Sequence, residues 1–596
     1  MPHPSTGLRR ARRPAAILAT ALAAAVLSSG TALFPAAAAT AAAATAAEPD
    51  TAALAGALTA QRPTWEPCGL PDTSAEDEAQ LRLSCATVTV PRDWHNPGDG
   101  RTIQVRISRT VASGEDRKGV LLVNPGGPGG SGLSLAPYVA LSAPELAEHY
   151  DVIGFDPRGV GQSTPLLCTV TYRDTDVTND LITRANVAGC RNTELTKYIT
   201  TEQTAYDMDF IRVLLGERKL NYLGYSYGTW LGTWYAATFG SRTGRMVLDS
   251  VAAVGSPTLQ ETWDLQPFTR DRAFQEQLLP YMARHDDLYG RGTDPMAIRQ
   301  MFERAGGTRV GMGPFMFGWF ILGALYDTQN YPTAAAAVNT VIQYYEEWNG
   351  WTPEQILAAA TTKLLAAPGI TADDRAYIQR SRVNAEAALK AQRDQATLAQ
   401  GAGEYTYDID YVFEVIRCQD GQWNDSVAYW NAFSRRLTRD APLVAPYLQN
   451  PPACAYWPTS NQMPTFDRKT FPKVLMLQDE LDVATAYEGA LTASKKLPGA
   501  SMISVDNEGS HGVFPYYTTC VDDPVYAYLL DGRLPSETYT GCQAVPLPGE
   551  TAVFEVGGKL TGKGTVRTQL VSDDMRAANR MLKRMLRTEP GPSYPE

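Results

Sequence analysis

Histidine is scarce in this chain, with five in 596 residues, so any chemistry that needs an imidazole base can be located by elimination. The eight cysteines contain no C-x-x-C pair, which removes zinc-finger and thioredoxin-like readings. There is no excess of basic residues: the net charge is -11, the wrong sign for a nucleic-acid partner. The glycine-rich stretch 124–132 has neither the G-K-[ST] ending of a phosphate-binding loop nor a dinucleotide fingerprint, and no internal repeat is visible. No metal and no organic cofactor is expected. Downstream of the N-terminus the most apolar patch, 315–326, falls short of the roughly 20 residues that cross a bilayer. It reads as the buried core of a helical cap, and no membrane partner is expected.

What is present begins with an export signal. Arg9, Arg10, Arg12 and Arg13 precede a short apolar run, 15–27, and an alanine-rich stretch offers cleavage near Ala39 or Ala47. No cysteine precedes Cys68, which argues against a lipid anchor. An even cysteine count in an exported chain favours disulfides. The cysteines fall into local couples, Cys68 with Cys85, Cys168 with Cys190, Cys418 with Cys454 and Cys520 with Cys542. Each such bridge closes a loop worth about 3 kcal/mol.

Strand and helix patterns then alternate. Residues 83–90 and 102–111 read as antiparallel strands around a turn at 94–98, and 119–123, 150–156 and 245–251 read as apolar strands buried on both faces. Helices are expected over 201–215 and, within 258–465, over 272–282, 295–305, 333–347, 353–366 and 373–398. Strands resume at 473–478 and 501–505, and an amphipathic helix follows over 573–587. The expected class is α/β, a mostly parallel sheet flanked by helices with a large helical lid insertion. The expected divisions are a signal over 1–39 or to 47, a core over 60–257, a lid over 258–465 and the rest of the core over 466–596.

The catalytic signal is Gly224-Tyr225-Ser226-Tyr227-Gly228, set between an apolar strand and a helix of small and apolar residues. Glycines on either side let a strained serine project its hydroxyl above a sheet. Ser226 is the candidate nucleophile. Of the five histidines, only His511 sits on a glycine-flanked loop just after a sheet strand. The acid should follow the preceding strand, in the Ser, Asp, His order of α/β-hydrolases, which selects Asp482 with Asp479 and Glu480 as competitors in the same turn. Residues 124–132 follow a buried strand upstream of the serine, which suits half of an oxyanion hole: the backbone N–H of Gly127, or else Gly126, together with that of Tyr227. Asp156 and Arg158 share a tight turn and read as a structural salt bridge or turn lock rather than as catalysts.

Together, Asn124-Pro125-Gly126-Gly127-Pro128-Gly129, the run 154–161, the serine turn, the 482–485 turn and Gly509-Ser510-His511-Gly512 resemble the secreted tripeptidyl aminopeptidases of the proline-iminopeptidase branch of α/β-hydrolase serine peptidases. Two positions depart from the family's G-x-x-D-x-x-T-P acid turn, Asp479 in place of glycine and Ala486 in place of proline. The resemblance implies an extracellular exopeptidase that removes tripeptides or similarly short peptides from free N-termini. Its substrate's amine would need an acid in the lid, with Glu414, Asp420 and Asp425 as candidates, each also readable as a solvated surface acid. The alternative is a secreted carboxylesterase using the same three residues, because fold and triad do not fix the leaving group.

Overall fold

The computed structural model describes residues 48–587 apart from 71–74, 174–178, 400–403, 449–450, 460 and 558–570. The signal reading therefore lies outside the described residues. Strands β1 (Leu83–Pro91) and β2 (Thr102–Thr110) pair antiparallel with Leu83 opposite Thr110, and they alternate buried with more exposed positions as a half-covered hairpin should. Next come β3 (Gly119–Asn124), β4 (Tyr150–Phe155), β5 (Cys168–Arg173), β6 (Leu220–Tyr225), β7 (Thr243–Asp249), β8 (Glu404–Ile409), β9 (Val474–Asp479), β10 (Ala500–Asp506) and β11 (Tyr539–Gln543). Nine of these make one sheet in the order β1-β2-β4-β3-β6-β7-β9-β10-β11, parallel from β4 onward. Every residue of β3, β4 and β9 is buried, as expected for strands covered on both faces.

Alternate side chains of each strand enter different cores. Val120, Leu122, Tyr222, Leu248 and Met476 join Trp230 and Trp234 on one face. Leu121, Val123, Leu223, Val247 and Leu475 join Leu135, Leu529 and Leu582 on the other. Leu582 belongs to the amphipathic helix Asp573–Met585, which lies against Leu135–Ser142.

Between β7 and β9 the chain is mainly helical and has its own core, built from Phe274, Met282, Phe302, Phe317, Val338 and Ile378. The first helix starts at Gln260, well before the expected 272, and runs to Ala273 with Pro267 inside it. A π-helical turn, Phe274–Leu278, then carries it into Leu279–Arg284. The proline and the polar stretch ahead of it hide this helix from periodicity. Also absent from the sequence reading is the two-stranded ribbon in which β5 pairs with β8, Cys168 opposite Ile409. Among the described residues no helix is long and apolar enough to cross a membrane.

All four expected disulfides form: Cys68–Cys85, Cys168–Cys190, Cys418–Cys454 and Cys520–Cys542. Asp156 and Arg158 are both structural but not with each other. Asp156 accepts hydrogen bonds from Ser131 Oγ (2.5 Å) and from the N–H groups of Gly132 (3.1 Å) and Gln162 (2.7 Å). The fully buried Arg158 forks onto Asp207, Nε at 2.7 Å and Nη2 at 2.6 Å. Of the two expected roles, the salt bridge between them does not form, because Arg158 is taken by Asp207, whereas Asp156 does lock the turn through Gln162 N–H.

Candidate active site

The end of β6 places Ser226. Its backbone sits at φ 57°, ψ -127°, a conformation that costs a non-glycine residue strain, and the helix Tyr227–Thr238 leaves immediately after it. Ser226 N–H donates to Asp249 O (2.9 Å) and Ser226 O accepts from Thr229 N–H (2.9 Å), so both sides of the turn are tied down. The flanking glycines are required by contact. A Cβ on Gly224 would lie 2.4 Å from the Tyr222 ring, and one on Gly228 would lie 2.8 Å from Asn124 Oδ1.

His511 follows β10, and its Nδ1 contacts both carboxylate oxygens of Asp482 at 2.9 Å. Asp482 also accepts from Ala484 N–H (2.8 Å), Thr485 N–H (2.9 Å) and Thr485 Oγ1 (2.9 Å). Burial alone would raise its pKa, but the facing imidazole and these donors outweigh burial and hold the carboxyl below its ordinary value. The competitors take other places. Asp479 is fully buried with neither oxygen hydrogen-bonded, and burial pushes its pKa well up. Glu480 accepts from Asn507 N–H (2.8 Å). The remaining nitrogen of His511, Nε2, is buried without a hydrogen-bond partner and lines the same cavity as Ser226.

The glycine-rich loop after β3 closes over the serine turn. Gly126 and Gly127 have φ of 89° and 109°, and a Cβ on Gly126 would meet Tyr225 O at 2.5 Å. Gly126 N–H is already committed to Asn124 Oδ1 (3.0 Å). Gly127 lines the cavity beside Ser226 and Tyr227, and Tyr227 opens a helix whose first N–H groups have no intrahelical acceptor. Of the two expected loop donors, Gly127 is the one left unengaged by the loop itself.

Several contributors were invisible in the sequence. Asp249, at the end of β7, accepts from Val513 N–H (2.8 Å) and Phe514 N–H (2.7 Å), and Ser250 Oγ accepts from Gly512 N–H (2.7 Å), so the loop after His511 hangs on the strand beside the one that ends at Ser226. Burial raises the Asp249 pKa to about 7. Tyr326, the last residue of the apolar patch, accepts from His511 N–H through its carbonyl (2.8 Å) and sets its ring edge-on to the imidazole at 5.6 Å. Trp263 and Gln266 of the helix Gln260–Ala273 and Leu586 complete a cavity of about 20 Å³, the size of one water.

None of the three lid acids lines that cavity. Glu414 pairs with Arg417 (2.6 Å) and Asp425 is exposed. Asp420 is fully buried under the serine turn, where Thr201 Oγ1 bonds both to its carboxylate and to Tyr227 OH, and burial lifts its pKa to about 8. It is not a solvated acid, and it does not line the cavity beside Ser226. The one group of potential metal ligands among the described residues, Glu414 with Cys418 and Cys454, has both sulfurs consumed in a disulfide.

A parallel sheet with a strained serine turn, a buried imidazole–carboxylate pair and a glycine loop facing them defines a serine hydrolase of the α/β-hydrolase fold. Residues 119–302 match the family model described as the alpha/beta hydrolase fold, and residues 441–543 match the one described as TAP-like protein. A tripeptidyl aminopeptidase of Streptomyces lividans is 31% identical over 515 residues, covering 81% of this chain and 87% of that one. Carboxylesterase B of Mycobacterium tuberculosis is 30% identical over 492 residues (77% and 86%), and serine protease Hip1 of the same organism is 26% identical over 508 residues (79% and 89%). The chain belongs to the tripeptidyl aminopeptidase family of α/β-hydrolase serine peptidases.

Proposed function

We propose that the protein is exported and hydrolyses the peptide bond that follows a short N-terminal segment, a tripeptide, of peptides with a free amine. In this reading His511 Nε2 takes the proton of Ser226 as its Oγ attacks the scissile carbonyl, and Asp482 stabilises the imidazolium while fixing the ring. The backbone N–H groups of Gly127 and Tyr227 bind the oxyanion. His511 then returns the proton to the leaving amine, and water deacylates Ser226. The observation that carries the assignment is the His511 Nδ1 to Asp482 pair at 2.9 Å, which leaves Nε2 free in the cavity that Ser226 lines. Export is supported by four disulfides, which persist in oxidising compartments.

One observation favours a second reading. No carboxylate lines the 20 Å³ cavity to receive a substrate amine, and a carboxylic ester would need none. Hydrolysis of a tripeptide p-nitroanilide, its N-acetylated form and a p-nitrophenyl ester separates the two, with Ser226→Ala as control. The aminopeptidase reading expects cleavage of the free-amine anilide in strong preference to the acetylated one. Ester turnover with both anilides untouched would replace it with a carboxylesterase.

A further inference from the structure

A second, far larger cavity of about 540 Å³ adjoins the first. Tyr326, His511 and Leu586 form the wall of the small cavity on the side where their chain neighbours Asp327, Ser510 and Arg587 line the large one. At the wall, Arg587 Nη2 lies 3.6 Å from Asp327, and Leu586 packs onto Gly512.

The large cavity is basic. Arg380 and five cations of the C-terminal segment, Arg576, Arg580, Lys583, Arg584 and Arg587, line it. Its four acids are already engaged: Asp373 with Arg580 (3.2 Å), Asp327 with Arg587, Glu550 with Arg284 (2.7 Å), and Glu508 with the hydroxyls of Thr328 (2.9 Å), Ser510 (2.8 Å) and Tyr516 (2.6 Å). Arg380, Arg576, Lys583 and Arg584 have no acidic partner within ion-pair distance among the described residues. Burial, with repulsion from Arg584 and Arg587, outweighs the attraction of Asp373 and depresses the Arg380 pKa to about 10.

The position of the cavity identifies what it would receive. His511 protonates the leaving group, so the leaving segment departs on the His511 side, and Ser510 and Arg587 place the basic cavity on that side. A substrate's free amine would be repelled there, whereas carboxylates would be drawn in. We propose that the basic cavity is a subsite for carboxylates on the leaving side of the scissile bond, so that the enzyme favours peptides whose residues beyond the cleaved bond are acidic. This rests on the peptidase reading above.

The test compares free-amine pentapeptides that share their first three residues and end in Glu-Glu, Gln-Gln or Lys-Lys. The Glu-Glu peptide should exceed the Gln-Gln peptide in kcat/KM by about tenfold, the size of one good charge pairing, with Lys-Lys lowest. In the double variant Arg576→Gln/Lys583→Gln the Glu-to-Gln ratio should collapse toward one, and in Arg439→Gln, an exposed cation elsewhere, it should persist. Ratios taken within each protein cancel any general loss of activity. Equal rates for the three peptides, or a ratio unmoved in the double variant, would overturn the subsite. If no peptide is cleaved while esters are, the peptidase reading has failed on its own account. Calorimetric titration of the Ser226→Ala protein with triglutamate then judges the cavity: saturable binding that weakens about tenfold in the double variant upholds an anion site, and no binding sinks it.

Discussion

The two cavities are opposites built on the same three segments. The catalytic one holds about 20 Å³ and has His511, backed by Asp482, in its lining beside Ser226. The basic one holds about 540 Å³ and is lined by six cations. Electrostatic catalysis works best where few charges compete and water is excluded, because each remaining interaction is then stronger. Recognition of a charged leaving segment needs the reverse, room and many cations. In each of the pairs Tyr326–Asp327, Ser510–His511 and Leu586–Arg587, one residue lines the catalytic cavity and its chain neighbour the basic one.

Breaking the catalytic side should give the largest effect. Asp482→Asn leaves the packing of a fully buried side chain intact but supplies the wrong partner to His511 Nδ1, so kcat should fall by about 10³–10⁴, read in steady-state kinetics on a tripeptide anilide. A loss of less than tenfold would assign the acid role elsewhere. Gly126→Ala should cost about 10²–10³ in kcat, because the new Cβ, at φ 89° and 2.5 Å from Tyr225 O, displaces the loop that carries the Gly127 N–H. An unchanged rate would remove this loop from the oxyanion site.

Breaking the wall is the next step down. Leu586→Ala deletes a side chain that is 2% exposed and seated in the core under the sheet, and should cost about 2–4 kcal/mol in denaturant unfolding. A loss below about 0.5 kcal/mol would mean the wall is loosely packed. The smallest effect concerns the floor under the serine turn. The Asp420 carboxyl titrates near 8 in the fold, against about 3.9 in an unfolded chain, so the folded protein holds the extra proton between those values. Its contribution to stability is full below about pH 4 and is lost as pH rises toward 8. Asp420→Asn should therefore shrink the fall in Tm between pH 5 and pH 8.5, and an identical fall in both proteins would show that Asp420 is ionised throughout.

The catalytic side was far more legible in the sequence than the basic side. Ser226 announces itself because a sharp turn demands glycines at fixed offsets, and His511 because histidines are few. The turn that carries the acid was legible too, with Asp482 chosen ahead of Asp479 and Glu480, but the sequence could not show that Asp482 meets the ring while Asp479 is buried without partners. Asp249 could not be read, since its role is to accept N–H groups 264 and 265 positions away. Nor could the β5–β8 ribbon, which joins segments more than two hundred residues apart. Leu586 and the cations around it looked like an ordinary amphipathic helix. Periodicity reports that a helix has an apolar side but not what its polar side faces.

Cleavage through Ser226 requires an acyl-enzyme made from a free-amine tripeptide. The direct measurement is mass spectrometry of the protein quenched in acid during turnover of a tripeptide ester, where a protonated His511 cannot assist deacylation. The expected result is a mass increase equal to one tripeptidyl group, located on the fragment containing Ser226 and much reduced with the N-acetylated ester. An adduct on another residue, or none under turnover conditions that accumulate product, would contradict it.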